Sequence, residues 1–192
     1  MKQSTLILAL FTLIVFSGNA QKLRGLDKSP MDMAYYPDNF AHDRKFSSKP
    51  EWNDKALIRV TYSRPNKKER VVFGNLIPFG KEWRAGANES TEIKFYTDAS
   101  INGKSIKAGV YSLFIIPNEK EWTIIFNTDL DQWGGYNYKA EKDILRMVVP
   151  VKQVDEVVEN FTIQFRQDGN KLSESIMTLA WDKTKVEIPI KL

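Results

Sequence analysis

The chain has no cysteine and only one histidine, His42. The first absence excludes disulfides, thiol catalysis and cysteine-built zinc sites, and the second excludes zinc sites that need several imidazoles. A Ser-His-Asp triad would have to recruit His42 from a polar N-terminal segment. No glycine-rich loop leads into Lys-Ser or Lys-Thr, and no paired-glycine fingerprint opens a helix, so neither a phosphate cradle nor a dinucleotide site is expected. No cofactor, no metal and no catalytic residue is therefore assigned. A strong charge of one sign is missing as well: 28 basic residues stand against 24 acidic ones, a net charge of +4. Such a weak, dispersed excess is a solvated surface, and no nucleic-acid partner is expected. Without disulfides, burial must supply the stability.

Long hydrophobic runs are also lacking, except at the start. Lys2 precedes an apolar run over 6–16, broken only by Thr12, and Ser17-Gly18-Asn19-Ala20 follows. This is the layout of a secretory signal peptide over 1–20, with cleavage expected after Ala20. The alternative is an uncleaved anchor, but the run is short of the ~20 residues that span a bilayer. No cysteine follows, which excludes lipid attachment. The expected location is periplasmic or secreted, not as a lipoprotein.

Residues 21–55 form a polar arm or linker, broken by Pro30, Pro37 and Pro50. Met31, Met33, Tyr35, Tyr36 and Phe40 give it apolar side chains with which to dock on the domain. Residues 56–192 carry period-two signals of a single domain. Ala56, Ile58, Val60 and Tyr62 alternate with Leu57, Arg59 and Thr61; Ile93 with Lys94 and Phe95; Phe161, Ile163 and Phe165 with polar neighbours. A short strand is expected at 70–73 and a strand edge or helical turn at 154–159. Asn102-Gly103 marks a hairpin, because both turn residues must tolerate positive φ. The nearly continuous apolar run 110–116 predicts a central strand, 122–127 its partner, and 144–151, 175–181 and 186–190 further strands. Eight or nine short strands joined by tight turns predict an all-β fold, an antiparallel β-sandwich or barrel with an extended N-terminal arm.

Two long connections hold the unusual chemistry. Trp83-Arg84-Ala85-Gly86-Ala87-Asn88-Glu89 places an indole, a guanidinium, an amide and a carboxylate together. As a ligand site, Arg84 would fork onto a carboxylate or phosphate, Trp83 would stack on a ring, and Asn88 and Glu89 would bind hydroxyls. As a buried plug, Arg84 would pair with Glu89 or Glu82 while Trp83 fills the core. Nothing in the residues forces a ligand, and the plug is preferred. The second connection, 128–142, offers Trp133, Tyr136 and Tyr138 beside Gly134 and Gly135, either as a carbohydrate platform or as aromatics folded onto the sandwich end. Asp129 and Asp131 are too few to specify a calcium loop. The basic turn Arg64, Lys67, Lys68 and Arg70 is a solvated surface or a contact with anionic headgroups or glycans. The candidate ligand-binding set is Trp83, Arg84, Asn88, Glu89, Arg64, Trp133 and Tyr136.

Six motifs then occur in order: Ser29-Pro30-Met31-Asp32, Tyr62-Ser63-Arg64-Pro65, Phe73-Gly74-Asn75-Leu76, the Trp83–Glu89 motif, Ala108-Gly109-Val110-Tyr111-Ser112-Leu113-Phe114 and Trp133-Gly134-Gly135-Tyr136. Together they resemble the bacterial domain-of-unknown-function 2911 family (DUF2911), from about Ser29 to Leu192. Ala85 and Val110 stand where threonine is frequent. The resemblance implies an exported protein of Gram-negative bacteria and lends no role to any motif residue. Three functions remain open: a non-catalytic module binding an envelope glycan, peptide or protein; a carboxylate-based hydrolase; or a structural accessory domain.

Overall fold

Strands need partners, and the order in which the period-two runs find theirs defines this molecule. The computed structural model describes residues 21–46 and 55–192. The expected leader over 1–20 and the part of the polar arm at 47–54 lie outside the described residues. One sheet has six strands in the order β1 (Met31–Tyr36), β2 (Ile58–Ser63), β3 (Thr91–Phe95), β6 (Gly109–Pro117), β7 (Glu121–Asn127) and β8 (Asp143–Pro150). The other has four, in the order β5 (Lys104–Ile106), β4 (Ala99–Ile101), β10 (Glu174–Lys191) and β9 (Lys152–Gln167). All pairings are antiparallel, and neither sheet closes into a barrel. A short helix, α1 (Phe40–Phe46), follows β1.

The alternation decides which side chains meet between the sheets. Ile58, Val60, Ile93, Phe95, Leu113, Ile124 and Phe126 of the larger sheet are buried with Ile101, Phe161, Ile163, Leu179, Trp181 and Ile188 of the smaller one. Strand β6 lacks alternation because both of its faces are covered. Phe114 and its cross-strand partner Ile125 are buried outside the inter-sheet core. Tyr138 packs edge-on over Phe114 at 5.0 Å, and the Ser112 hydroxyl donates to the Asp129 carbonyl at 2.7 Å. The 128–142 connection is thereby held against the outer face of the larger sheet.

Polar groups stitch the layers on one side. The Tyr62 hydroxyl donates to the Ile163 carbonyl at 3.2 Å and accepts from the Ile163 N–H at 3.1 Å. Beyond β2 the Lys67 N–H donates to the Glu159 carbonyl at 2.7 Å, and the Phe161 N–H to the Pro65 carbonyl at 3.0 Å.

Four details differ from the sequence reading. The described residues form ten strands, where eight or nine are expected. Residues 31–36, expected within the polar arm, pair with β2 along their whole length, from Met31 opposite Ser63 to Tyr36 opposite Ile58. The strand expected at 70–73 is a series of turns in which Phe73 makes an isolated bridge to Ile77, because Val72 and Phe73 plug the core instead of joining a sheet. The signals at 154–159 and 161–165 are one strand, β9, and those at 175–181 and 186–190 are also one, β10, which passes through an irregularity at Asp182 (φ 56°).

Candidate functional site

The Trp83–Glu89 motif begins as an extension of the larger sheet. Trp83 exchanges both backbone hydrogen bonds with Ile115, at 2.7 and 2.8 Å, next to the end of β3 on β6. Its indole is then driven inward. It stacks on Trp181 at 5.9 Å, meets Phe161 edge-on at 5.0 Å and Phe73 at 5.8 Å, and donates to the Gly86 carbonyl at 3.0 Å. The chain turns back through Ala85 at φ 54° and Asn88 at φ 58°, and the Thr91 hydroxyl donates to the Ala85 carbonyl at 2.6 Å. Gly86 lies so close to β2 that a Cβ there would come within 3.1 Å of the Ser63 carbonyl oxygen. Trp83 is the expected plug.

The second connection pairs with the outward half of this loop. Glu89 bridges Trp133, the Ser90 N–H donates to the Gln132 carbonyl, and the Gly134 N–H donates to the Asn88 carbonyl, the last two at 2.8 Å. The Ser90 hydroxyl adds a bond to the Gly134 carbonyl at 2.8 Å. On this base Trp133 and Tyr136 stand in solvent, 62% and 81% exposed, with rings stacked at 5.9 Å and 16°. Gly134, at φ 77°, makes the stack possible, since a Cβ there would lie 2.7 Å from the Tyr136 ring. The loop's root is fixed by Tyr138, whose hydroxyl donates to Asp143 Oδ2 at 2.6 Å. Burial first, and that hydrogen bond second, push the Tyr138 phenol up to about 12.

Arg84 lacks the expected partner. No carboxylate among the described residues forms an ion pair with it, neither Glu82 nor Glu89, and its Nε is buried with no acceptor. Burial holds the guanidinium below its ordinary value, and the charge of the Tyr136 phenol acts the other way.

The remaining candidates divide. Asn88 and Glu89 join Trp133 along a groove of about 660 Å³ whose opposite wall is the N-terminal segment with Lys22, Arg24 and Asp27. The Asn88 side-chain amide donates to Asp27 Oδ1 at 3.0 Å. A smaller adjoining groove of about 250 Å³ is lined by Met31, Glu89, Glu92 and Asp131. Arg64 lies elsewhere. Its guanidinium meets Asp32 at 2.8 Å, the Thr162 hydroxyl at 2.9 Å and the Phe161 carbonyl at 3.2 Å, and so ties β1 and the end of β2 to β9. Asp129 pairs with Lys139 at 3.2 Å, and among the described residues no group of His, Cys, Asp or Glu is arranged to hold a metal. A hollow of about 400 Å³ beside the β4–β5 hairpin, lined by Asp98, Lys107 and Leu192, contains none of the candidates. Sequence reasoning missed Lys22 and Arg24, because an aperiodic segment gives no sign of the wall it will form.

A family model described as a protein of unknown function (DUF2911) matches residues 46–190. No curated protein and no solved structure matches the chain.

Proposed function

We propose, from the premise that the chain belongs to the DUF2911 family, that it is an exported, non-catalytic β-sandwich that binds a glycan of the cell envelope at the Trp133–Tyr136 pair. The observation carrying this reading is the stacked pair itself. Two large aromatic rings stand mostly in water, held by backbone pairing to the neighbouring loop, where folding alone would favour burying them. Flat apolar faces beside polar groups suit the apolar faces and hydroxyls of sugar rings. Export rests on the N-terminal pattern of a charge, an apolar run and small residues. Among the described residues, no helix is long and apolar enough to cross a membrane.

A binding role is favoured over hydrolysis by the placement of the carboxylates. Glu82, Glu89 and Asp131 are exposed, and Asp129 is engaged by Lys139, so among the described residues no enclosed acid/base pair faces the aromatic platform. A glycan that binds only the folded protein must raise its melting temperature with concentration. In a panel of envelope oligosaccharides and peptides, at least one oligosaccharide is expected to do so with the 21–192 protein, and Trp133→Ala and Tyr136→Ala should lose the shift while keeping the wild-type circular dichroism. A panel in which no sugar shifts the melt, or in which only peptides do, overturns the reading.

A further inference from the structure

Arg84 singles itself out by what it lacks. Cations at the root of the second loop are matched: Lys139 by Asp129 and Arg146 by Asp143. Arg84 has no carboxylate among the described residues, and its half-buried guanidinium keeps one nitrogen out of water with no acceptor. Its loop is paired through Asn88 and Ser90 to the loop that carries Tyr136, the more exposed ring of the stack, and a Cβ on Gly135 would stand 3.7 Å from the Glu82 carbonyl oxygen. Lys22 and Arg24 line the groove that Trp133 borders, also without ion-pair partners among the described residues. The groove's own carboxylates are Asp27, bonded to Asn88, and Glu89.

We propose that the ligand is an acidic saccharide, whose ring lies on Trp133 and Tyr136 and whose carboxylate is received by Arg84. This rests on the glycan reading above and adds the charge of the ligand to it. A planar guanidinium offers a carboxylate two parallel N–H donors, and the half-buried setting strengthens the pair by limiting competition from water. A bound carboxylate would also supply the counter-charge that Arg84 lacks among the described residues.

The probe is trigalacturonate against its methyl ester, the same backbone with its charge removed, titrated calorimetrically into the 21–192 protein. Wild type should bind the acid at least tenfold more tightly than the ester, with the preference shrinking as salt is raised. Arg84→Met should bind acid and ester alike, near the affinity of wild type for the ester. Because the arginine side chain makes no hydrogen bond among the described residues, this variant should melt no lower than wild type. Equal binding of acid and ester by wild type overturns the inference and leaves the glycan reading standing. An acid preference that survives in folded Arg84→Met overturns the role of Arg84. If neither galacturonide binds while a neutral oligosaccharide does, the inference alone fails; if no sugar binds, both fail. Should Arg84→Met not fold, the wild-type comparison still decides the charge of the ligand, and Arg84→Lys, keeping charge without the fork, must weaken the acid preference.

Discussion

Adjacent side chains in one motif do opposite work in this fold. Trp83 contributes to stability: its ring touches Phe73, Phe161, Trp122 and Trp181, and it is 3% exposed. Truncating a buried tryptophan costs about 3–5 kcal/mol through lost transfer energy and the cavity left behind. For a chain of this size that lowers Tm by roughly 10 °C. Trp83→Ala should therefore melt far below wild type in scanning calorimetry, and a loss of less than about 1 kcal/mol would show that the indole does not anchor the aromatic cluster. Arg84 has the reverse balance. A buried donor without an acceptor costs about 1–3 kcal/mol, so the residue weakens the free protein. The sequence showed an indole and a guanidinium side by side, but not that one would turn inward and the other stay unpaired. That division depends on Ala85 and Asn88 at positive φ, which only the folded loop reveals.

At the level of elements, the aromatic platform depends on a glycine more than on its own rings. At Gly134 an added methyl meets two separate obstacles, a backbone at φ 77° and the Tyr136 ring 2.7 Å away. Gly169, in the turn between β9 and β10, has φ 68° and open space around it, so alanine there meets only the backbone obstacle. Both variants should lose on the order of 1 kcal/mol of stability from the unfavourable φ. Only Gly134→Ala should also lose at least tenfold in affinity for a bound oligosaccharide, because it displaces Tyr136. Equal affinities in the two variants would mean that the stacked geometry is irrelevant to binding. Local elements were legible in the sequence for local reasons: Asn102 and Gly103 adopt φ 47° and 80° in the hairpin that their pairing announces. Strand β1 was not, because its partner β2 lies across a turn, a helix and a polar stretch, and nothing within 31–36 displays that pairing. The 70–73 run misled because Val72 and Phe73 are apolar to fill the core and not to form a strand.

The whole molecule is two sheets whose contact is sealed by buried phenols as well as by hydrocarbon, and this sets its response to alkali. The all-β class and the antiparallel sandwich were legible because alternation and tight turns are properties of short segments; which edges are stitched together was not, because that depends on hydroxyls meeting backbone across the core. Tyr36 is such a stitch. It is 1% exposed, and its hydroxyl donates to the carbonyls of Leu172 at 2.8 Å and Glu174 at 3.2 Å. Burial pushes its pKa up to about 12, from an ordinary value of 10.0. Burial raises Tyr62 and Tyr111 in the same direction. Above the ordinary value the unfolded chain releases phenolic protons that the native protein retains, so the unfolded state binds fewer protons and stability falls as pH rises. The contribution is complete below pH 10.0 and is lost towards about 12. Tyr36→Phe should cost about 1 kcal/mol near neutrality, from the lost hydrogen bonds. It should also flatten the decline, so that urea-unfolding free energies of variant and wild type converge as the pH climbs. Parallel curves would mean that the Tyr36 phenol ionises as readily in the folded protein as in the unfolded chain, and that its hydroxyl does not seal the sheets.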